Sequence, residues 1–308
     1  LIEFFYGVIT KQNNYRINDA ITSMSLGLIS RFVPILGLGF QYVVYKAVAE
    51  HYNLKLLSGE EIWVWVTAFI LYDICYYWMH RIHHEIKVFW ATHVVHHHGE
   101  EFNLATALRQ TSTGFLWKWV FFLPLFIIGI PPQMYVTVAG LNLVYQFWVH
   151  TEHIGRLGFL EYIFVTPSNH RVHHAQNEDY LDANYGGVFI LWDRLFGTFI
   201  DERSDLKPVY GTVKPLKSFN PFWANIEVFY QMIFDSYHTE KFTDKIRVWF
   251  SPPNWRPEDV SMKYPIDKND LSSFEKYDPN ISLREKIFAG AQFTLSLIHI
   301  SEPTRLVS

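Results

Sequence analysis

The first half of the chain alternates long apolar runs with short polar stretches. Residues 19–50 are mostly apolar, interrupted by Arg31 and Pro34, and predict an amphipathic lead-in followed by a membrane helix from about Phe32 to Val48. Residues 62–79, IWVWVTAFILYDICYYWM, carry one charge, Asp73. Residues 115–149 supply a third and a fourth run, folded back at Ile130-Pro131-Pro132, a tight turn. Each run lies near the lower limit of about 17–25 residues that cross a bilayer as a helix. Four such runs flanked by Trp and Tyr predict an all-α, integral membrane helical bundle with about four spans, rather than buried helices of a soluble protein.

The pattern then changes. GGVFILWDRLFGTFI (186–200) is apolar but short and holds Asp193 and Arg194, which suits an interfacial or core-packed segment better than a span. Residues 201–284 are polar and rich in Pro, Lys and Asp, and are read as a cytoplasmic cap with loops. KIFAGAQFT, ending at Thr294, is expected to begin a further membrane helix within 285–294. LSLIHISEPTR, from Leu295, matches the translation of a sequencing adapter, so 295–308 is read as an artefact and His299 is kept out of every metal argument. Residues 1–18 are read as an N-terminal segment with a truncated start, and 19–200 are expected to form the membrane and metal core.

Composition narrows the function. A net charge of −4 leaves no basic footprint for nucleic acid. Aromatics reach 18 %, consistent with interfacial belts. The single cysteine, Cys75, rules out an internal disulfide and a thiolate cage, and its apolar surroundings make it a packing residue.

The chemistry lies in the histidines. Twelve of 15 fall between residues 80 and 174, as His80-x-x-His83-His84, His93-x-x-His96-His97-His98, His150-x-x-His153 and His170-x-x-His173-His174. Spacings of three and four place side chains on one helix face. The second run delivers the first two clusters at its C-terminal end, the hairpin of 115–149 returns His150 to the same side, and the last cluster follows without another span. All four therefore face one compartment. Arg81, Lys87, Arg109, Arg156 and Arg171 gather there, against Lys55 alone in the 51–61 loop, which places the metal site on the cytoplasmic face.

Imidazoles in this number exceed what one tetrahedral ion holds, so two metals are expected. Catalytic zinc needs three ligands; a dinuclear iron pair working on O2 would use the surplus, at a membrane face where a lipid chain can enter and water is excluded. His83 points about 100° from His84 and stays open as a ligand or a support, as does His98; His51 and His238 are isolated. Asp73 lies two helical turns before His80, where a charge is costly in lipid and tends to be functional; it could accept the distal N–H of a ligating imidazole. Glu85 and Glu152, beside His84 and His150, could support ligands or bind metal. A metal transporter is the distant alternative, but its ligands belong at mid-membrane rather than at span ends.

With YYWMHRIHHE (76–85), HVVHHH running into EEFNLATALRQ (100–110), YQFWVHTE (145–152), TPSNHRVHH (166–174) and NYGGVFILWDRLFGTF (184–199), the chain resembles the fatty acid hydroxylase and sterol desaturase superfamily over roughly residues 15–294. EEFNLATALRQ favours its ether-lipid-cleaving branch over sterol, fatty acyl or carotenoid branches. The resemblance implies a di-iron oxygenase with His80, His84, His93, His96, His97, His150, His170, His173 and His174 as ligands, and functional roles for Glu85 and Glu152. His153 departs from the nearest branch but matches a second histidine of others, and is counted as a tenth ligand. Asn169 stands where a histidine is common. The implied reaction inserts one atom of O2 into a lipid C–H bond. Electrons come from tetrahydrobiopterin in that branch, and from a ferredoxin or cytochrome partner elsewhere; no residue here is assigned to a pterin.

Overall fold

The computed structural model describes residues 1–57, 59 and 61–301, and the side chains of all of these but 33–39 and 297–301. Among the described residues it is helical, with isolated bridges Phe164–Phe189 and Ala175–Tyr210 in place of strands. In order run α1 (Ile2–Ile9), α2 (Ile17–His51), α3 (Ile62–Glu85), α4 (Lys87–Trp90), α5 (Val94–His97), α6 (Leu104–Ala107), α7 (Leu123–Ile128), α8 (Pro132–Trp148), α9 (Pro167–His173), α10 (Leu191–Phe196), α11 (Pro221–His238), α12 (Phe242–Phe250) and α13 (Glu258–Lys263). These belong to one compact unit, Leu1–Phe274; the segment from Glu275 onward is a second, whose described residues include α14 (Leu283–Ser301). The expected helix start at 285–294 falls inside α14, and residues 302–308 of the expected artefact lie outside the described residues.

α3 is the described helix long and apolar enough to cross a membrane. It packs with α2, α7 and α8 around Tyr45, Val64, Ala68, Tyr72, Phe122, Phe126, Met134 and Val138. Tyr45 stacks on Phe126 and Tyr72 on Phe122, at 4.3 and 4.8 Å between ring centroids, contacts worth about 1 kcal/mol each beyond burial. The turn expected at 130–132 forms: Gly129 caps α7 at φ +119, a conformation open to glycine, and Pro132 opens α8, where its missing N–H costs nothing.

Two regions differ from the reading of the sequence. The third apolar run is not one continuous helix: 3₁₀ turns at Gly114–Leu116 and Lys118–Phe122 precede α7, because Pro124 in the first turn of α7 cannot continue a helix from upstream. Residues 201–284 hold helices as well as loops: α11, α12 and α13 form there, and α11 and α12 pack on α4 through Val88, Ala91, Met232 and Val248.

Candidate metal centre

Nine histidines converge at the C-terminal end of α3 in two adjacent groups. His80, His84, His93, His97 and His173 form one, and His96, His150, His170 and His174 the other; within each group the candidate ligand atoms lie within 4.8 Å of one another. The spacing explains the division. In each H-x-x-H-H the i, i+4 pair serves one group (His80 and His84, His93 and His97, His170 and His174). The i+3 histidine of the second and fourth clusters, His96 and His173, turns to the other group. Adjacent residues thus serve different groups, and the stacked rings of His97 and His174, 4.5 Å apart, mark the seam.

Tautomers can be read from the bonds. His96 Nδ1 lies 3.0 Å from the Arg109 carbonyl, and His150 Nδ1 2.7 Å from that of Gln146. A carbonyl only accepts, so each Nδ1 carries the proton and each Nε2 is a bare lone pair. Those two Nε2 atoms face one another at 3.2 Å. His80 repeats the arrangement, with Nδ1 on the Tyr185 carbonyl at 2.8 Å and Nε2 3.0 Å from His93 Nε2. Buried lone pairs pointed at one another repel unless a cation sits between them. His84 Nε2 and His173 Nε2 are buried with no protein partner, the second with its Nδ1 on the Ala183 carbonyl at 2.9 Å. The donor set therefore fits a metal. Right-angle ligands at ~2.1 Å would sit ~3.0 Å apart and tetrahedral ones ~3.4 Å, and the Nε2 pairs, 3.0 to 3.2 Å apart, fall within that range.

Protonation of one imidazole would also relieve the repulsion, but burial opposes it. Burial first and neighbouring imidazoles second push His93, His97, His170 and His174 well below the ordinary histidine value; burial pushes His150 down to about 4. The unfolded chain takes up these protons near pH 6.5, so metal-free protein, with its folded values depressed, is expected to lose stability as pH falls from 6.5 to 4. His150 alone contributes about 3 kcal/mol to that loss. Thermal unfolding of metal-free protein across this range checks it; a flat profile contradicts neutral burial.

The supports come from a stretch that the family resemblance marks, 184–199, and from residues just before it, none of them assigned this role from sequence. Residues 182–188 run along the five-histidine group and present the Ala183 and Tyr185 carbonyls to His173 and His80. Asp193 holds that strand, accepting from Tyr185 N (2.7 Å), Gly186 N (2.8 Å) and Thr198 Oγ1 (2.7 Å). Asp182 approaches His84 Nδ1 at 3.8 Å. Asp193→Ala is expected to weaken metal binding roughly 10–100-fold with every ligand present, as loss of an orienting partner does; a metal titration at fixed pH reads this, and unchanged affinity removes Asp193 from the support.

The remaining site candidates fall elsewhere. Asp73 bonds to no imidazole: it accepts from Asn142 Nδ2 (2.8 Å), Val188 N (2.8 Å), Phe189 N (3.0 Å) and Trp192 Nε1 (2.9 Å). Glu85 pairs with Arg81 at 2.7 Å, and Glu152 accepts from the Tyr210 hydroxyl at 3.1 Å; neither enters a histidine group. His153 packs edge-on against Tyr6, outside both groups, as are His83, whose Nδ1 is 2.6 Å from the Met79 carbonyl, and His98. Three of the cations used to orient the chain are buried supports: Arg109 bonds the Val95 carbonyl, Arg171 chelates Glu202, and Lys87 meets the Trp255 carbonyl.

A cavity of roughly 1310 Å³ reaches the five-histidine group at His84, His97 and His173. Beside the histidines its wall is Trp90 and Tyr185, whose rings pack on His84 at 5.0 and 5.3 Å; elsewhere it carries Lys214, Glu227, Gln231 and Arg256.

The fold and site define a helical protein with an all-histidine, two-group cluster able to bind metal at the end of an apolar helix. Residues 65–198 match the model of the fatty acid hydroxylase domain. The chain is 36 % identical to an alkylglycerol monooxygenase of Xenopus tropicalis over 98 % of its own length and 68 % of the relative's. It is 38 % identical to one of Homo sapiens (93 % and 64 %) and 37 % identical to one of Danio rerio (96 % and 66 %). It spans about two thirds of the length of these relatives. No solved structure matches. The chain belongs to the fatty acid hydroxylase family.

Proposed function

We propose that this chain is an integral-membrane di-iron monooxygenase acting on a lipid C–H bond, of the ether-lipid-cleaving kind. The observation that carries the metal reading is the facing Nε2 lone pairs of His96 and His150, 3.2 Å apart, with His150 buried and His96 half-buried. One iron would be held by His80, His84, His93, His97 and His173, the other by His96, His150, His170 and His174; His153, Glu85 and Glu152 stand outside this set. Bound iron would supply the activation of O2.

The balanced reaction takes O2, the lipid C–H, two electrons and two protons to a C–OH and water. At the carbon beside an ether oxygen the product is a hemiacetal, which collapses to a fatty aldehyde and a glycerol derivative. The electrons would come from tetrahydrobiopterin, or from a ferredoxin or cytochrome. The chain's own role is to orient ligands through Tyr185, Ala183, Arg109 and Gln146, and to keep water from the imidazoles by burying them. The mixed wall of the cavity, aromatic beside His84 and charged beyond, suits a lipid with a polar head. α2, α3, the 118–128 segment and α8 would form the membrane bundle. The metal end would face the cytoplasm, an orientation supported by exposed Lys207, Lys241, Arg247 and Lys263 in the cap at that end.

Iron-loaded protein given an alkylglycerol and tetrahydrobiopterin should consume O2 and release fatty aldehyde. Uptake with a sterol or fatty acyl lipid and reduced ferredoxin instead would move the chain to another branch. Full iron occupancy without lipid-dependent O2 uptake would overturn the oxygenase reading.

A further inference from the structure

α11 is inverted relative to a helix that faces water. Each exposed residue along it is apolar or aromatic: Phe222, Ile226, Tyr230, Ile233 and Tyr237, between 50 and 79 % exposed. Their spacing of four, four, three and four makes one unbroken stripe. The polar residues point inward. Asn225 accepts from Ser112 N at 2.7 Å, Glu227 pairs with Lys214, and Asp235 chelates Arg256 at 2.8 to 2.9 Å. α12 continues the pattern, with Phe242, Ile246 and Phe250 exposed over two turns.

We infer that α11 and α12 lie in the membrane surface with this stripe in the lipid. What identifies the lipid is continuity with the apolar span. α11 and α12 pack on Val88, Phe89 and Ala91, directly after α3, and on Trp117, directly before the apolar segment 118–128. The hairpin therefore sits level with the point where α3 ends, the depth at which amphipathic helices bind and where Tyr and Trp are favoured. α3 itself shows Val66 and Ile70 to the outside. Lys241 and Arg247, exposed at and after the α11–α12 turn, suit the phosphate layer. The inference rests on reading α3 as a bilayer span. It adds that Glu227, Val228 and Gln231, which wall the cavity reaching His84 and His97, belong to a helix whose other side touches lipid. The cavity wall then lies at headgroup level, where an amphiphilic substrate presents its polar end.

The test uses the full chain in phosphatidylcholine vesicles, with Cys75→Ala as background and a fluorophore attached at Ile226→Cys, Ile233→Cys or Ile246→Cys. Val66→Cys reports the span and Glu258→Cys, exposed in the cap, reports water. At the three hairpin positions, nitroxide-labelled phospholipid should quench several-fold more than aqueous iodide, with the order reversed at Glu258→Cys. Iodide quenching at the level of Glu258→Cys overturns the inference. Protection from both quenchers assigns the stripe to a second protein surface, which also overturns it. If Val66→Cys is quenched by lipid and the hairpin is not, only this inference falls; if iodide reaches Val66→Cys, the span reading falls with it.

Discussion

His150→Ala is expected to cut the metal content from two ions to about one per chain and turnover by at least ~10³-fold. The group it belongs to has four histidines, so its loss leaves three, with His96 Nε2 and His170 Nε2 deprived of the atom each faces at 3.2 and 3.0 Å. A metal ion in such a reaction stabilises charge by several kcal/mol, and about 4 kcal/mol is three powers of ten in rate. His97→Ala should behave differently, because four ligands remain in the five-histidine group: metal is partly retained while turnover falls as far, its ring having filled the seam against His174. Metal content and single-turnover rate, measured together, separate the two. Full metal content in His150→Ala would remove that residue from the ligand set.

Asp73→Ala is expected to cost about 3–5 kcal/mol of stability, a large share of the ~5–15 kcal/mol that holds a protein folded. The substitution strands Asn142 Nδ2, Val188 N, Phe189 N and Trp192 Nε1, all bonded to this one carboxylate. Asp73 thereby ties α3 to α8 and to the stretch after Gly187, which runs on from the carbonyls that orient His80 and His173. A Cβ at Gly187 would come within 2.8 Å of Asp73 Oδ1, so the approach requires glycine there. Asp73→Asn keeps an acceptor for two of the four donors and turns an amide toward the others, and should cost about half as much. Unfolding temperature and metal retention in detergent are the readouts. An Asp73→Asn protein of unchanged stability and no turnover would make Asp73 a reacting group instead of a clamp.

Nine of the ten histidines expected as ligands fall in the two groups and His153 falls outside them; the nine were legible as candidates because i, i+3, i+4 spacing is a property of sequence. The division into five and four was not, since it depends on which way His96 and His97, or His173 and His174, diverge from a common turn. The supports were only partly legible. Asn142, Gln146 and His150 recur every four residues through an apolar run, the mark of a polar stripe leading to a site. The carbonyls of Ala183 and Tyr185 have no side-chain signature, and the φ values of +57 and +58 at Asp182 and Asn184 that aim this loop are set by long-range packing. Charge counting overreached for Arg109, Arg171 and Lys87, because a count cannot tell a solvated cation from one bonded to a buried carbonyl or carboxylate. The polar composition of 201–284 suggested a cap with loops and left its helices unplaced; the stripe from Phe222 to Tyr237 was present as a period, masked by polar residues that turn inward.

In the proposed enzyme, two groups of histidines hold two irons in one chain. Metal analysis of the purified chain after anaerobic iron loading, with Mössbauer spectra of the same sample, tests it most directly. Two irons per chain in nitrogen-rich, six-coordinate sites are predicted. A single iron per chain, or a protein that prefers zinc and leaves one group empty, would contradict it.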